Sequence, residues 1–261
     1  MIDRAVIPAA GLGTRLLPAT KEQPKEMLPV YVRGPNGELC LKPLLQLVFE
    51  QLYDLGLRDF CIIIGRGKRA IEDHFTQDYS YATYLRNTGR VSAAENLESF
   101  YRRLDDSVIS WITQPEPKGF GDAVLRARKA IGDNDFLLHA GDAYVISKDN
   151  AYFRRITRLF DQRRPSAVLL IHELAHPHQK GIAEARLVDV DSYEVLSVEE
   201  KPEKPKTKLS IEPIYMFRPN FFKALESTKP GMGREIQVTD AIQQMIEEEE
   251  KPCLPLTGLW I

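Results

Sequence analysis

Short apolar runs closed by turn residues alternate along this chain with stretches of helical spacing. That alternation restricts the fold to repeated strand–helix–strand units around a central parallel sheet. Residues 4–9 read as the first strand. Residues 43–55 set Leu44, Leu45, Leu47, Val48, Leu52 and Leu55 on a helical stripe that Gly56 stops, and residues 60–64 follow as a buried strand. Residues 108–113 give another strand, 122–131 a helix, 136–139 a strand, and 151–163 a helix with Phe153, Ile156, Leu159 and Phe160 on one face. A further strand is expected at 167–171. Between 186 and 198 the pattern becomes short and β-rich, which predicts a small antiparallel addition. The charged, proline-punctuated stretch 199–208 reads as a loop. Helices at 220–227 and 238–248 and a last strand at 254–261 complete an α/β chain with a doubly wound, mixed, mostly parallel sheet. The four glutamates at 247–250 read as a solvated helix end.

The length of 261 residues suits one large domain spanning 1–261. Thirty-five Lys and Arg against 37 Asp and Glu leave a net charge of -2, so no overall basic field draws the chain to nucleic acid or to an anionic membrane. Apolar runs such as 60–64 and 168–171 are far too short for a bilayer. Met1-Ile2-Asp3-Arg4 does not open a basic-then-apolar leader, so a cytoplasmic location is expected. Cys40, Cys61 and Cys253 are odd in number and form no CxxC pair, and they read as reduced, mostly buried thiols.

Chemistry enters directly after the first strand. Pro8-Ala9-Ala10-Gly11-Leu12-Gly13-Thr14-Arg15-Leu16 puts small residues where backbone amides can approach a polyphosphate unobstructed. Leu16 stands where GxGxxG needs its third glycine, and no Gly-Lys-Ser/Thr follows, so neither familiar nucleotide motif is satisfied. The glycines alone fit an ordinary tight turn equally well. The continuation Pro24-Lys25-Glu26-Met27-Leu28-Pro29 adds a second motif. Together the two segments resemble the signature of the sugar-1-phosphate nucleotidylyltransferases, and closely that of the bacterial-type UTP-glucose-1-phosphate uridylyltransferases.

That resemblance, which spans residues 6–242, implies a Rossmann-like fold of nucleotide-diphospho-sugar transferase type. Residues 1–145 would form mainly the nucleotide half and 146–261 mainly the sugar-phosphate half. It implies nucleotide contacts at Ala9, Ala10, Gly11, Gly13 and Thr14, and catalytic cations at Arg15 and Lys25. Two cations suit the charge that develops on the α-phosphate and the departing pyrophosphate. By the same carry-over, Gln114 and Gly119 hold the uracil ring, the glutamine amide both donating and accepting. A helix-capping loop explains Gly121 and Asp122 as well, but not Gln114. Asp142, after His139-Ala140-Gly141 at a strand end, matches the catalytic metal aspartate, with Mg2+ as the ion; a simple turn cap is the other reading of that residue. Gly181, Glu200 and Lys201 match the sugar-phosphate elements, although Glu199-Glu200-Lys201-Pro202 is also a common solvated loop. Residues 233–242 resemble a further family segment; Thr239 or Asp240 near a helix start could equally cap that helix, so the segment supports the resemblance without a catalytic role being assigned.

The implied activity is Mg2+-dependent transfer of a uridylyl group from UTP to α-D-glucose 1-phosphate, with no nucleic acid or membrane partner and a homodimer or homotetramer as the assembly. A thymidylyl- or N-acetylglucosamine-1-phosphate-specific enzyme is the alternative within the same chemistry. A non-catalytic sugar-nucleotide-binding regulator is the alternative from another class. Relatives usually continue beyond the last strand. A second metal aspartate follows a Trp resembling Trp260 in a sister group, so a further ligand or a C-terminal helix is expected to lie past Ile261. His172-Glu173-Leu174-Ala175-His176 spells the zinc-protease HExxH pattern, but it follows a β-rich run and precedes Pro177, so the helix that chemistry needs is not expected.

Overall fold

A computed structural model of the chain describes residues 2–34, 37–175, 177, 179–189, 192–248 and 254–257. Cys253, Trp260, His176 and the last two of the four glutamates lie outside the described residues. The elements run β1 (Arg4–Ala9), β2 (Pro29–Arg33), β3 (Leu39–Pro43), α1 (Leu44–Asp54), β4 (Asp59–Gly65), α2 (Arg69–His74), α3 (Tyr79–Asn87), α4 (Val91–Asp105) and β5 (Val108–Gln114). They continue with α5 (Phe120–Arg126), α6 (Arg128–Ile131), β6 (Phe136–His139), α7 (Ala151–Arg163), β7 (Ala167–Glu173), β8 (Gly181–Asp189), β9 (Ser192–Glu200), β10 (Leu209–Phe217), α8 (Phe221–Ser227), α9 (Val238–Glu248) and β11 (Leu254–Thr257).

Nine strands form one sheet in the order β5-β4-β1-β6-β10-β7-β11-β9-β8, and β2 with β3 forms a separate antiparallel ribbon. In the large sheet β9 and β10 run against the others. The sheet is therefore mixed and mostly parallel, as the alternation predicts. The central strands β1, β4 and β6 are apolar and buried through their interiors because both faces are covered. Ala5, Ile7, Phe60, Ile62 and Leu137 pack on one side with α1 residues Leu45, Phe49 and Leu52. Val6, Ile63, Phe136 and Leu138 pack on the other with Ala123, Phe217 and Phe222.

Three differences from the sequence expectations have physical causes. The helix expected over 122–131 is two pieces, α5 and α6, which meet at Ala127. Strand β10 escaped periodicity because Glu212 and Pro213 interrupt its apolar pattern, and its register against β7 shifts there, between Ile211 and Tyr215. The β-rich stretch expected over 186–198 is a longer hairpin, β8 with β9, that already includes Gly181, Glu199 and Glu200. Among the described residues no helix is long and apolar enough to cross a membrane.

Candidate active site

Strand β1 pairs with β4 on one side and with β6 on the other, so the loops leaving β1 and β6 part at a topological switch point. In open α/β sheets this is where ligands settle. Here the glycine loop after β1 and the Gly141-Asp142 corner after β6 wall a cleft of about 680 Å³.

The loop's glycines are dictated by close approach. A side chain on Gly11 would come within 3.3 Å of Lys25 Nζ. Gly13 adopts φ 70°, and a Cβ there would come within 3.0 Å of Thr20, whose hydroxyl donates to the Gly13 carbonyl at 2.7 Å. A short 3-10 turn, Thr14–Leu16, then sets Arg15 on the cleft wall. Ala10 and Thr14 also line it. Ala9 departs from the expectation: as the last residue of β1 it is 1% exposed in the core, and it supports the loop from below.

Across the cleft, Lys25 Nζ donates to Asp142 Oδ2 at 2.5 Å, which joins residues 117 positions apart. Lys25 owes its place to a second 3-10 turn, Lys25–Met27. The neighbouring Glu26 is 1% exposed and accepts from Lys68 at 2.9 Å, tying this turn to the end of β4. Burial pushes the Glu26 carboxyl above its ordinary range, against the pull of Lys68. A buried pair of this kind carries no sequence periodicity, and the sequence reading did not find it.

At one end of the cleft, Gln114 closes β5 and donates to the Gly119 carbonyl at 3.1 Å and to Asp122 Oδ2 at 2.8 Å. Gly119 has φ 102°, and a Cβ there would strike Glu235 Cβ at 2.7 Å and the Ile236 carbonyl at 2.8 Å. The chain segment around Ile236 is in turn bonded to this loop, Gly121 donating to the Ile236 carbonyl and Ile236 to that of Lys118.

At the other end, Gly181 sits opposite Glu200 in the β8–β9 register. A Cβ on Gly181 would lie 3.1 Å from Thr239 Oγ1 and 3.3 Å from Glu200 Oε2, so any side chain there would push these groups apart by a few tenths of an ångström. Lys201 takes a left-handed φ of 43° and places Nζ 2.7 Å from Glu200 Oε1. Thr239, in the first turn of α9, donates to Glu200 Oε2 at 2.8 Å and lines the cleft, so of the two readings left open for it the hydroxyl is turned toward Glu200. Burial, with Glu200 nearby, raises the Asp240 carboxyl above its usual range.

The HExxH segment does not form a helix: His172 and Glu173 end β7, and His172 Nδ1 lies 3.1 Å from Glu212. Among the described residues no cluster of three or more His, Cys, Asp or Glu is placed to hold a metal. Twelve of the thirteen residues singled out from the sequence, all but Ala9, thus share one cleft.

A family model described as nucleotidyl transferase matches residues 4–261. The UTP–glucose-1-phosphate uridylyltransferase of Bacillus subtilis is 37% identical over 94% of this chain and 81% of its own length. The enzyme of the same name from Pseudomonas aeruginosa is 34% identical over 95% and 86%. A UDP-glucose pyrophosphorylase solved with UDP-glucose superposes with a TM-score of 0.82 at 30% identity, over 98% of this chain and 90% of that one. With a glycine loop, a lysine–aspartate pair at the switch point and likeness along nearly its whole length, the chain belongs to the nucleotidyl transferase family.

Proposed function

We propose that this cleft transfers a uridylyl group from UTP to α-D-glucose 1-phosphate, giving UDP-glucose and pyrophosphate. The observation that carries the reading is the Lys25–Asp142 contact beside the glycine loop, in a cleft also lined by Gln114 and Gly119 and by Glu200 and Lys201. The substrates for which the relatives are named support this choice.

In this reading the backbone amides of Ala10, Gly11, Gly13 and Thr14 meet the triphosphate, and Gln114 and Gly119 hold the base. Gly181 and Glu200 face the sugar hydroxyls, and Lys201 binds the sugar phosphate. An oxygen of glucose 1-phosphate attacks the α-phosphorus of UTP, and the bond from that phosphorus to the β-phosphate oxygen breaks. The nucleophile is already ionised, so no general base is required. Arg15 and Lys25 offset the charge that develops on the α-phosphate and the leaving pyrophosphate. Residues 1–145 carry mainly the nucleotide contacts and 146–261 mainly those to the sugar phosphate.

The donor set suits Mg2+. Asp142 offers one hard carboxylate to the cleft, and magnesium is characteristically held by one or two carboxylates together with substrate phosphates. Asp142 would hold the ion. When bound, it supplies charge neutralisation at the phosphates.

The test is pyrophosphate release with Mg2+, crossing UTP, dTTP, ATP and GTP with the 1-phosphates of glucose, galactose and N-acetylglucosamine. Strong release is expected for UTP with glucose 1-phosphate. A different best pair would move the substrate assignment, and nucleotide binding without turnover would make the protein a binder.

A further inference from the structure

Gln114 and Asp122 are each 5% exposed, and they meet beside the recess proposed for the base. A glutamine amide has two donor hydrogens and one acceptor oxygen, and which end points where is set by its partners. Here both donors have takers within the protein: the Gly119 carbonyl at 3.1 Å and Asp122 Oδ2 at 2.8 Å. An ionised carboxylate can only accept, so Asp122 forbids the flipped amide, which would set oxygen against oxygen. Arg126 donates to the other oxygen, Asp122 Oδ1, at 3.1 Å, so both carboxylate oxygens are occupied as acceptors.

We propose that Asp122 is a specificity-determining positioning residue, which locks the Gln114 amide so that Oε1 alone faces the base. The inference rests on the uridylyl reading and deepens it. It also corrects the expectation that the Gln114 amide both donates to and accepts from the ring. A fixed acceptor pairs with the N3–H of uracil. It repels cytosine, whose N3 is itself an acceptor, and a base lacking N3–H leaves Oε1 unpaired. Asp122 thus acts through Gln114, and its effect belongs to the choice of base and not to the phosphate chemistry.

The experiment is calorimetric titration of UTP, CTP and N3-methyl-UTP, with Mg2+, into the wild-type protein and into Asp122→Asn and Arg126→Met. Wild type is expected to bind CTP and N3-methyl-UTP at least about tenfold more weakly than UTP. The carboxamide introduced by Asp122→Asn would offer either an oxygen or an amine, so the Gln114 amide could turn. In that variant the UTP-over-CTP preference is therefore expected to fall to within about threefold, because the unpaired-acceptor penalty disappears. Arg126→Met keeps the acceptor-only carboxylate and should keep the preference. A folded Asp122→Asn protein with the wild-type preference would overturn the proposal, as would wild type that binds N3-methyl-UTP as tightly as UTP. The second result is read on wild type alone and decides the matter should Asp122→Asn not fold. Folded wild type that binds no UTP would instead overturn the uridylyl reading.

Discussion

At the scale of single residues, the groups proposed to do chemistry in the cleft are distinct from those that hold the fold. Lys25→Ala or Asp142→Asn is expected to lower kcat by roughly 10³-fold, the range seen when one preorganised charge is withdrawn from a transition state. Both side chains are partly solvent-exposed, so the melting temperature should stay near that of wild type; normal turnover in either variant would remove that residue from the mechanism. His139 behaves differently. It is fully buried one strand residue below the Ala140-Gly141-Asp142 corner, with Nδ1 2.9 Å from the Ala140 carbonyl, and burial pushes it down to about 4. The unfolded imidazole, near 6.5, takes up its proton first on acidification. Between pH 6.5 and 4 the unfolded state therefore binds more protons, and stability is lost as pH falls through that window, by up to about 3 kcal/mol. Urea midpoints at pH 7.5, 6 and 5 should show this slope in wild type and a flatter one in His139→Leu.

At the scale of elements, helix α1 is the clearest case of a segment whose sequence states its role. Its stripe faces the sheet, and Phe49 at the centre meets Phe60 at 4.8 Å and Phe100 at 5.9 Å between ring centroids. Phe49→Ala should destabilise the protein by about 3–5 kcal/mol, read as a loss in the urea midpoint with an unchanged slope. Strands β1 and β6 and helix α7 have the ends that the sequence predicts, since turn residues and a complete apolar pattern mark them. The β2–β3 ribbon carries no such signal. Its residues alternate only between exposed and half-buried, so no core face announces it. The same logic divides the site. Gly11, Gly13, Arg15, Lys25 and Asp142 stand out because they sit in short contiguous motifs that carry the family resemblance, and the structure places all five around one cleft. Asp122 holds Gln114, Thr239 holds Glu200 and the Glu26–Lys68 pair anchors the turn that carries Lys25, each pairing spanning 8 to 42 residues, and a linear pattern does not show such a pairing.

At the scale of the whole molecule, the proposed metal belongs to the reaction and not to the fold. Asp142 is its single proposed protein ligand, and the two aromatic and aliphatic cores close around the sheet without it. Chelation with EDTA is expected to abolish pyrophosphate release while leaving the thermal midpoint of the free protein unchanged, and added Mg2+ should restore activity. A fall in that midpoint on chelation would show a structural ion instead.

The stretch from Glu235 to Thr239 touches both ends of the cleft: its first residues crowd Gly119 and Gly121, and its last holds Glu200. Five consecutive residues therefore act as a fixed spacer between the two pockets proposed for base and sugar. An inserted or deleted residue there would shift both pockets at once.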